Sequence, residues 1–174
     1  GFGHVAGVLQ DLVGHAQAFG HEGVRLVGQG FALALETVEA AVALGLEELQ
    51  AKPELGGLAI NLSAASIQLP DFRGQLYTLL KQHAATPRLW LEVSEAGALT
   101  HFDAFRELCL ALKHTGCQMG IEHFGRRFSE VGQWHDLGLD YLKVDASFIR
   151  GIEDSRGNQA FLRGLSSIAH GIGM

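Results

Sequence analysis

The chain has 174 residues, 47% of them hydrophobic and 18% charged, which fits one globular domain with a real core and excludes a disordered composition. Its formal charge of −6 argues against a general nucleic-acid surface, which needs clustered Lys and Arg to displace counterions, but leaves room for a small anionic ligand in a local pocket. No apolar run approaches the roughly 20 residues that cross a bilayer, and the N-terminus lacks the basic start and apolar stretch of a signal peptide.

In chain order, Gly3–Leu9 (GHVAGVL) is a weak strand candidate. Residues 31–50 place Leu35, Val38, Val42, Leu46 and Leu49 three and four apart, the spacing of a helix with one apolar face. Gly57–Leu62 (GLAINL) and Leu89–Val93 (LWLEV) are short apolar runs that predict strands. Residues 102–115 repeat the helical spacing with Phe102, Phe105, Cys109 and Leu112 and stop at Gly116, a C-terminal cap. Gln118–Glu122 (QMGIE) and Tyr141–Asp145 (YLKVD) are two further strands, and residues 158–171 a final helix. Continuous apolar runs of this length read as strands buried on both faces of a parallel sheet. About five βα units follow, with no linker between them. They form a parallel α/β architecture, either an open doubly wound sheet or part of a (β/α)8 barrel. Cys109 and Cys117 read as reduced structural thiols, which suits a cytosolic compartment. Any membrane anchor of a parent protein would lie outside this chain.

The strand ends carry the chemistry. Three strands finish in or beside a polar residue, Asn61, Glu92 and Glu122, and the fourth carries Lys143 and Asp145. In parallel α/β folds, binding and catalytic groups collect at the C-terminal strand edge. The carboxylates and the amide are hard oxygen donors of the kind Mg²⁺ or Mn²⁺ prefers, and a Lys can meet a phosphate or help activate water. One such residue alone would read as a helix cap. Polar ends on four successive strands point to a shared pocket.

These residues resemble a known family. Ala59–Ser63 (AINLS) is similar to the V-N-L-S motif of EAL domains, and Leu91–Glu95 (LEVSE) to their L-E-I-T-E. Ile121–Gly125 (IEHFG) occupies the place of D-D-F-G, and Tyr141–Phe148 (YLKVDASF) that of Y-L-K-I-D-x-S-F. Order and spacing match over roughly residues 57–152, and residues 21–36 fit more loosely a linker and the start of the first helix. The run Phe124–Gly132 (FGRRFSEVG) most resembles LapD-type receptors, membrane proteins whose EAL domain binds cyclic-di-GMP without cleaving it. The resemblance implies a barrel of the TIM type with the dinucleotide across the C-terminal strand ends. In active members, Glu, Asn, a second Glu and paired Asp residues hold two divalent metals while a Lys assists the attacking water.

Asn61, Glu92 and Lys143 match that set, whereas Glu122 and His123 stand where the family has its Asp pair. Aligning Gly3–Val13 with the signature segment puts Leu9 in place of a metal-binding Glu and Val13 in place of a phosphate-binding Arg. The chain stops at Met174, before the family's A-E-G-V-E strand, so the resemblance implies a single domain over 1–174 lacking the last barrel strands. The expectation is a degenerate phosphodiesterase that binds cyclic-di-GMP through Asn61, Glu92, Glu122, His123, Arg126, Arg127, Lys143 and Asp145. No catalytic residue is expected beyond a vestigial Lys143, and no metal beyond vestigial ligands Asn61, Glu92 and Glu122. No cofactor is required, Mg²⁺ or Mn²⁺ entering only if a residual metal site survives. Partners would be a second copy or linked GGDEF and membrane signalling domains, with no nucleic-acid polymer. The competing expectations are a ligand-free interaction module, which the loss of Arg at position 13 favours, and an active phosphodiesterase.

Other residues carry two readings each. Arg126 and Arg127 are either phosphate-reaching or a solvated pair. Phe124 and Phe128 are core or base-stacking aromatics, with core favoured for Phe124. Trp134 reads as an exposed helical residue at an interface or as buried against the barrel. Ser63, Ser94 and Ser129 lack the His and Asp partners of a nucleophile.

Overall fold

The computed structural model describes residues 17–19, 23–26, 35–127, 132 and 134–174. The strand candidate Gly3–Leu9, with Leu9 and Val13, and the residues Phe128 and Ser129 lie outside the described residues.

Among the described residues, six strands form one sheet in the order of the chain. β1 (Gln17–Phe19) pairs antiparallel with β2 (Gly23–Leu26). β2, β3 (Leu58–Asn61), β4 (Leu89–Ser94), β5 (Gln118–Phe124) and β6 (Tyr141–Val144) are all parallel. The four strands expected from the apolar runs are present. β2 falls in the stretch read from the sequence as a linker, and its Val-Arg-Leu alternation is too short to stand out from a loop. A doubly wound sheet reverses its strand order at a switch point. This order never reverses, so the sheet is an open stretch of barrel wall.

Helices cover one face of that wall. α1 (Leu35–Ala51), the short α2 (Ala64–Ile67), α3 (Pro70–Gln82), α4 (Glu95–Thr100), α5 (Phe102–Leu112) and α6 (Arg156–Gly171) follow in sequence. Leu58 and Ile60 of β3, Leu89, Leu91 and Val93 of β4, and Met119 and Ile121 of β5 alternate with the residues of the other face and enter the main core. There they meet Leu46 and Leu49 of α1, Phe72 and Leu76 of α3, and Phe105 and Leu108 of α5. Arg88 closes the end of α1 by donating to the carbonyls of Leu49 and Leu55. α5 ends at Leu112 with Lys113 as its C-cap, so Gly116, the cap expected from the sequence, instead closes the following turn with φ +85.

Cys109 and Cys117 are buried free thiols, each pushed up to about 12, chiefly by burial and then by the charge of Asp140. Phe124 is buried, in line with a core role. Trp134 is on no helix, and the surface reading does not hold: it is 1% exposed and meets Phe102, Phe105 and Phe124 edge-on at 6.0, 6.2 and 6.4 Å. At the far edge every residue of β6 is half-buried. A cavity of about 350 Å³ lies between β6 and α6, lined by Leu142, Val144, Leu162, Leu165 and Met174 among others. No helix among the described residues is long and apolar enough to cross a membrane.

Candidate functional site

The face of the sheet turned away from the main core presents Asn61 from β3, Trp90, Glu92 and Ser94 from β4, Gly120 and Glu122 from β5, and Tyr141 and Lys143 from β6, a period of two on each strand. Register brings the polar ones together: Asn61 lies opposite Glu92, and Ser94 opposite Glu122. The Asn61 amide donates to Glu122 Oε2 at 3.3 Å. Lys143 Nζ forms an ion pair with Glu92 Oε1, which also accepts from the Tyr141 hydroxyl at 2.9 Å.

β5 breaks its alternation where it matters. Its register against β6 slips between Ile121 and Phe124, and His123 takes φ +56, a left-handed conformation uncommon outside glycine but commoner for His than for most residues. In a regular strand Glu122 and His123 would point to opposite faces. Here the His123 ring stands 3.8 Å from Glu122 Oε2 and 3.4 Å from Asp145 Oδ2. Asp145, just past β6, accepts from the Ser147 hydroxyl and backbone N–H through Oδ1, at 2.6 and 2.9 Å, and pairs with Arg126 through Oδ2 at 3.2 Å. The Ser147 hydroxyl first, then its N–H, with smaller help from Arg126 and His123, hold the Asp145 carboxyl down to about 2 against the opposing effect of burial.

One residue at the rim escaped the sequence reading. Glu95, 2% exposed at the start of α4, accepts the backbone N–H groups of Gly125, Arg126 and Arg127 at 3.1, 3.0 and 3.2 Å. It anchors the turn that carries both arginines. The two carboxylates of Leu91–Glu95 were the available signal, since a second acid three residues beyond a strand-end acid starts the next helix on the same rim. Arg126 and Arg127 are both exposed. Ser63 and Ser94 are helix N-caps, accepting from the N–H of Ser66 and of Gly97. The eight residues expected at a binding site thus all lie at one strand edge, with the backbone of Arg126 and Arg127 anchored there by Glu95.

Among the described residues, two buried oxygens of this edge, Asn61 Oδ1 and Glu92 Oε2, have no hydrogen-bond partner. Both are hard donors on adjacent strands, and with Glu122 beside them they suit one Mg²⁺ or Mn²⁺, which when bound would polarise a phosphate oxygen or activate a water. The other half of the edge is different in kind. There Asp145 is already shared by Arg126 and His123, and among the described residues no three His, Cys, Asp or Glu side chains converge as a metal site.

Known proteins are similar to this chain. PdeF of Escherichia coli, a cyclic di-GMP phosphodiesterase, is 32% identical over 108 residues, 62% of this chain and 14% of that protein. A LapD structure from Vibrio cholerae comprising S helix, GGDEF and EAL segments, bound to c-di-GMP, superposes with a TM-score of 0.71 at 20% identity, covering 100% of this chain and 50% of that one. BlrP1 of Klebsiella pneumoniae, solved as a manganese and cyclic-di-GMP complex, is 31% identical with a TM-score of 0.64, covering 80% of this chain and 36% of that one. The chain spans only 14–17% of the length of the curated relatives it matches first. A family model described as EAL domain matches residues 24–174, which takes in β3 to β6, all but the first residue of β2 and the whole polar edge, and the chain belongs to the EAL domain family.

Proposed function

We propose that this EAL domain is a cyclic-di-GMP receptor that holds the dinucleotide at its C-terminal strand edge without hydrolysing it and relays binding to a partner or linked domain. The observation that carries the reading is the state of the edge's carboxylates. Glu92 is engaged by Lys143 and Tyr141, Asp145 by Arg126 and His123, and Glu122 by the Asn61 amide. A two-metal hydrolase needs a cluster of anions open to two cations. This edge supplies its own positive charge, which suits a dianionic ligand. Arg126, Arg127 and Lys143 would meet phosphate, while Asn61, Glu92, Glu122, His123 and Asp145 shape and orient the pocket. A divalent cation is not required for binding in this reading.

Relay demands different affinity for two arrangements of the parent protein. A second copy, or linked GGDEF and membrane signalling segments, would be the responding part. Calorimetric titration of the protein with cyclic-di-GMP, in chelator and again in Mg²⁺, tests the proposal alongside chromatography of the nucleotide. Binding in chelator with no linear dinucleotide is the expected result. Metal-dependent linear product at an enzymatic rate would overturn the receptor reading, and absence of binding at near-millimolar ligand would replace it with a ligand-free interaction module.

A further inference from the structure

We propose that Tyr141 is a positioning residue of this pocket: its hydroxyl shares Glu92 Oε1 with Lys143, holding that carboxylate in place and keeping the ammonium available to the ligand phosphate. The inference rests on the receptor reading above and adds to it a role for Tyr141, which the motif match includes without assigning it one. Glu92 is fully buried, both donors converge on Oε1, and among the described residues Oε2 is without a partner. A buried carboxylate held by one oxygen from two directions has little freedom to turn.

Tyr141 itself is wedged. Its ring lies edge-on to Trp90 at 6.1 Å, and across the sheet stands Gly120, where a Cβ would fall 2.3 Å from the ring. The glycine makes the space that lets a ring lie inside the wall, and the wedge aims the hydroxyl at Glu92. Without the hydroxyl, Lys143 would be the sole donor to Oε1. It would be drawn fully onto Glu92 and away from a ligand phosphate.

A double-mutant cycle tests this, with cyclic-di-GMP titrated calorimetrically into the wild-type protein, Tyr141→Phe, Glu92→Gln and the double variant. Phe keeps the ring between Trp90 and Gly120. The expected result is a loss of about tenfold in affinity for Tyr141→Phe when Glu92 is present, and less than about twofold when it is Gln. Equal losses in both backgrounds would mark a packing role and overturn the proposal, as would no loss in either. Failure of the wild-type protein to bind would defeat the receptor reading instead, and the same cycle read as urea stability of the ligand-free protein then decides. A smaller loss for Tyr141→Phe in the Glu92→Gln background than with Glu92 present supports the coupling, and equal losses overturn it.

Discussion

At the scale of single residues, the edge divides its cations by burial, and that division sets what each substitution does. Arg126 is 70% exposed and its partner Asp145 keeps two donors from Ser147. Arg126→Ala is therefore expected to weaken cyclic-di-GMP binding roughly ten- to a hundred-fold while leaving the thermal midpoint nearly unchanged. Lys143 is 34% exposed but pairs with a Glu92 that is 0% exposed. Lys143→Ala should weaken binding comparably and also cost on the order of 2 kcal/mol, less than a fully buried pair because the ammonium is partly solvated. Urea melts of the two variants, run beside the titrations, separate the cases. Glu122→Ala should change binding little in chelator; binding abolished only when Mg²⁺ is present would reveal a working metal site. Asp145 makes a pH prediction. Its folded carboxyl sits at about 2, against an ordinary 3.8, so the folded state favours the ionised form. The stability this brings is present above about pH 4 and lost as pH falls through 2. Carboxyl NMR should follow the low titration, and Ser147→Ala should move it upward.

At the scale of elements, the turn after β5 is held by one side chain. Glu95→Ala leaves three backbone donors at Gly125, Arg126 and Arg127 without their acceptor. A loss of about 2 kcal/mol is expected, with faster hydrogen exchange at those three amides than at the rest of β5. An unchanged exchange pattern would mean that the turn is held elsewhere. The strands that this turn joins were legible in the sequence as short apolar runs, although the expected burial on both faces does not hold: helices cover one face of the wall and every residue of β6 is half-buried. The polar edge was legible too, since Asn61, Glu92 and Lys143 interrupt those runs at their ends. Glu95 was not, because its role is to accept main-chain groups thirty residues away, and no local pattern encodes a long-range backbone bond. His123 was read as a lost anion, while its left-handed backbone, which turns the ring toward Asp145, depends on a register slip against β6 that the sequence of β5 alone does not contain.

At the scale of the whole molecule, composition left an open doubly wound sheet and a barrel equally available, and pairing order decided for the barrel wall. Pairing partners are a property of distant segments, which is why periodicity could count strands without ordering them. The same wall explains an alkaline weakness. Cys109 and Cys117 sit at about 12 against an ordinary 9.0, so the folded state retains thiol protons that the unfolded chain gives up. Their contribution is complete below about pH 9 and disappears as pH rises toward 12. Urea midpoints should fall across that window, and fall less steeply when both residues are Ala. The unreversed strand order has a consequence for biosynthesis. Each strand from β2 onward docks beside the one made just before it, so a chain leaving the ribosome can add βα units to a growing wall without waiting for a later segment to be inserted between earlier ones. Nascent chains stalled after Ser94 should therefore already resist protease over α1 to β4, and assembly should advance vectorially, one unit per translated repeat.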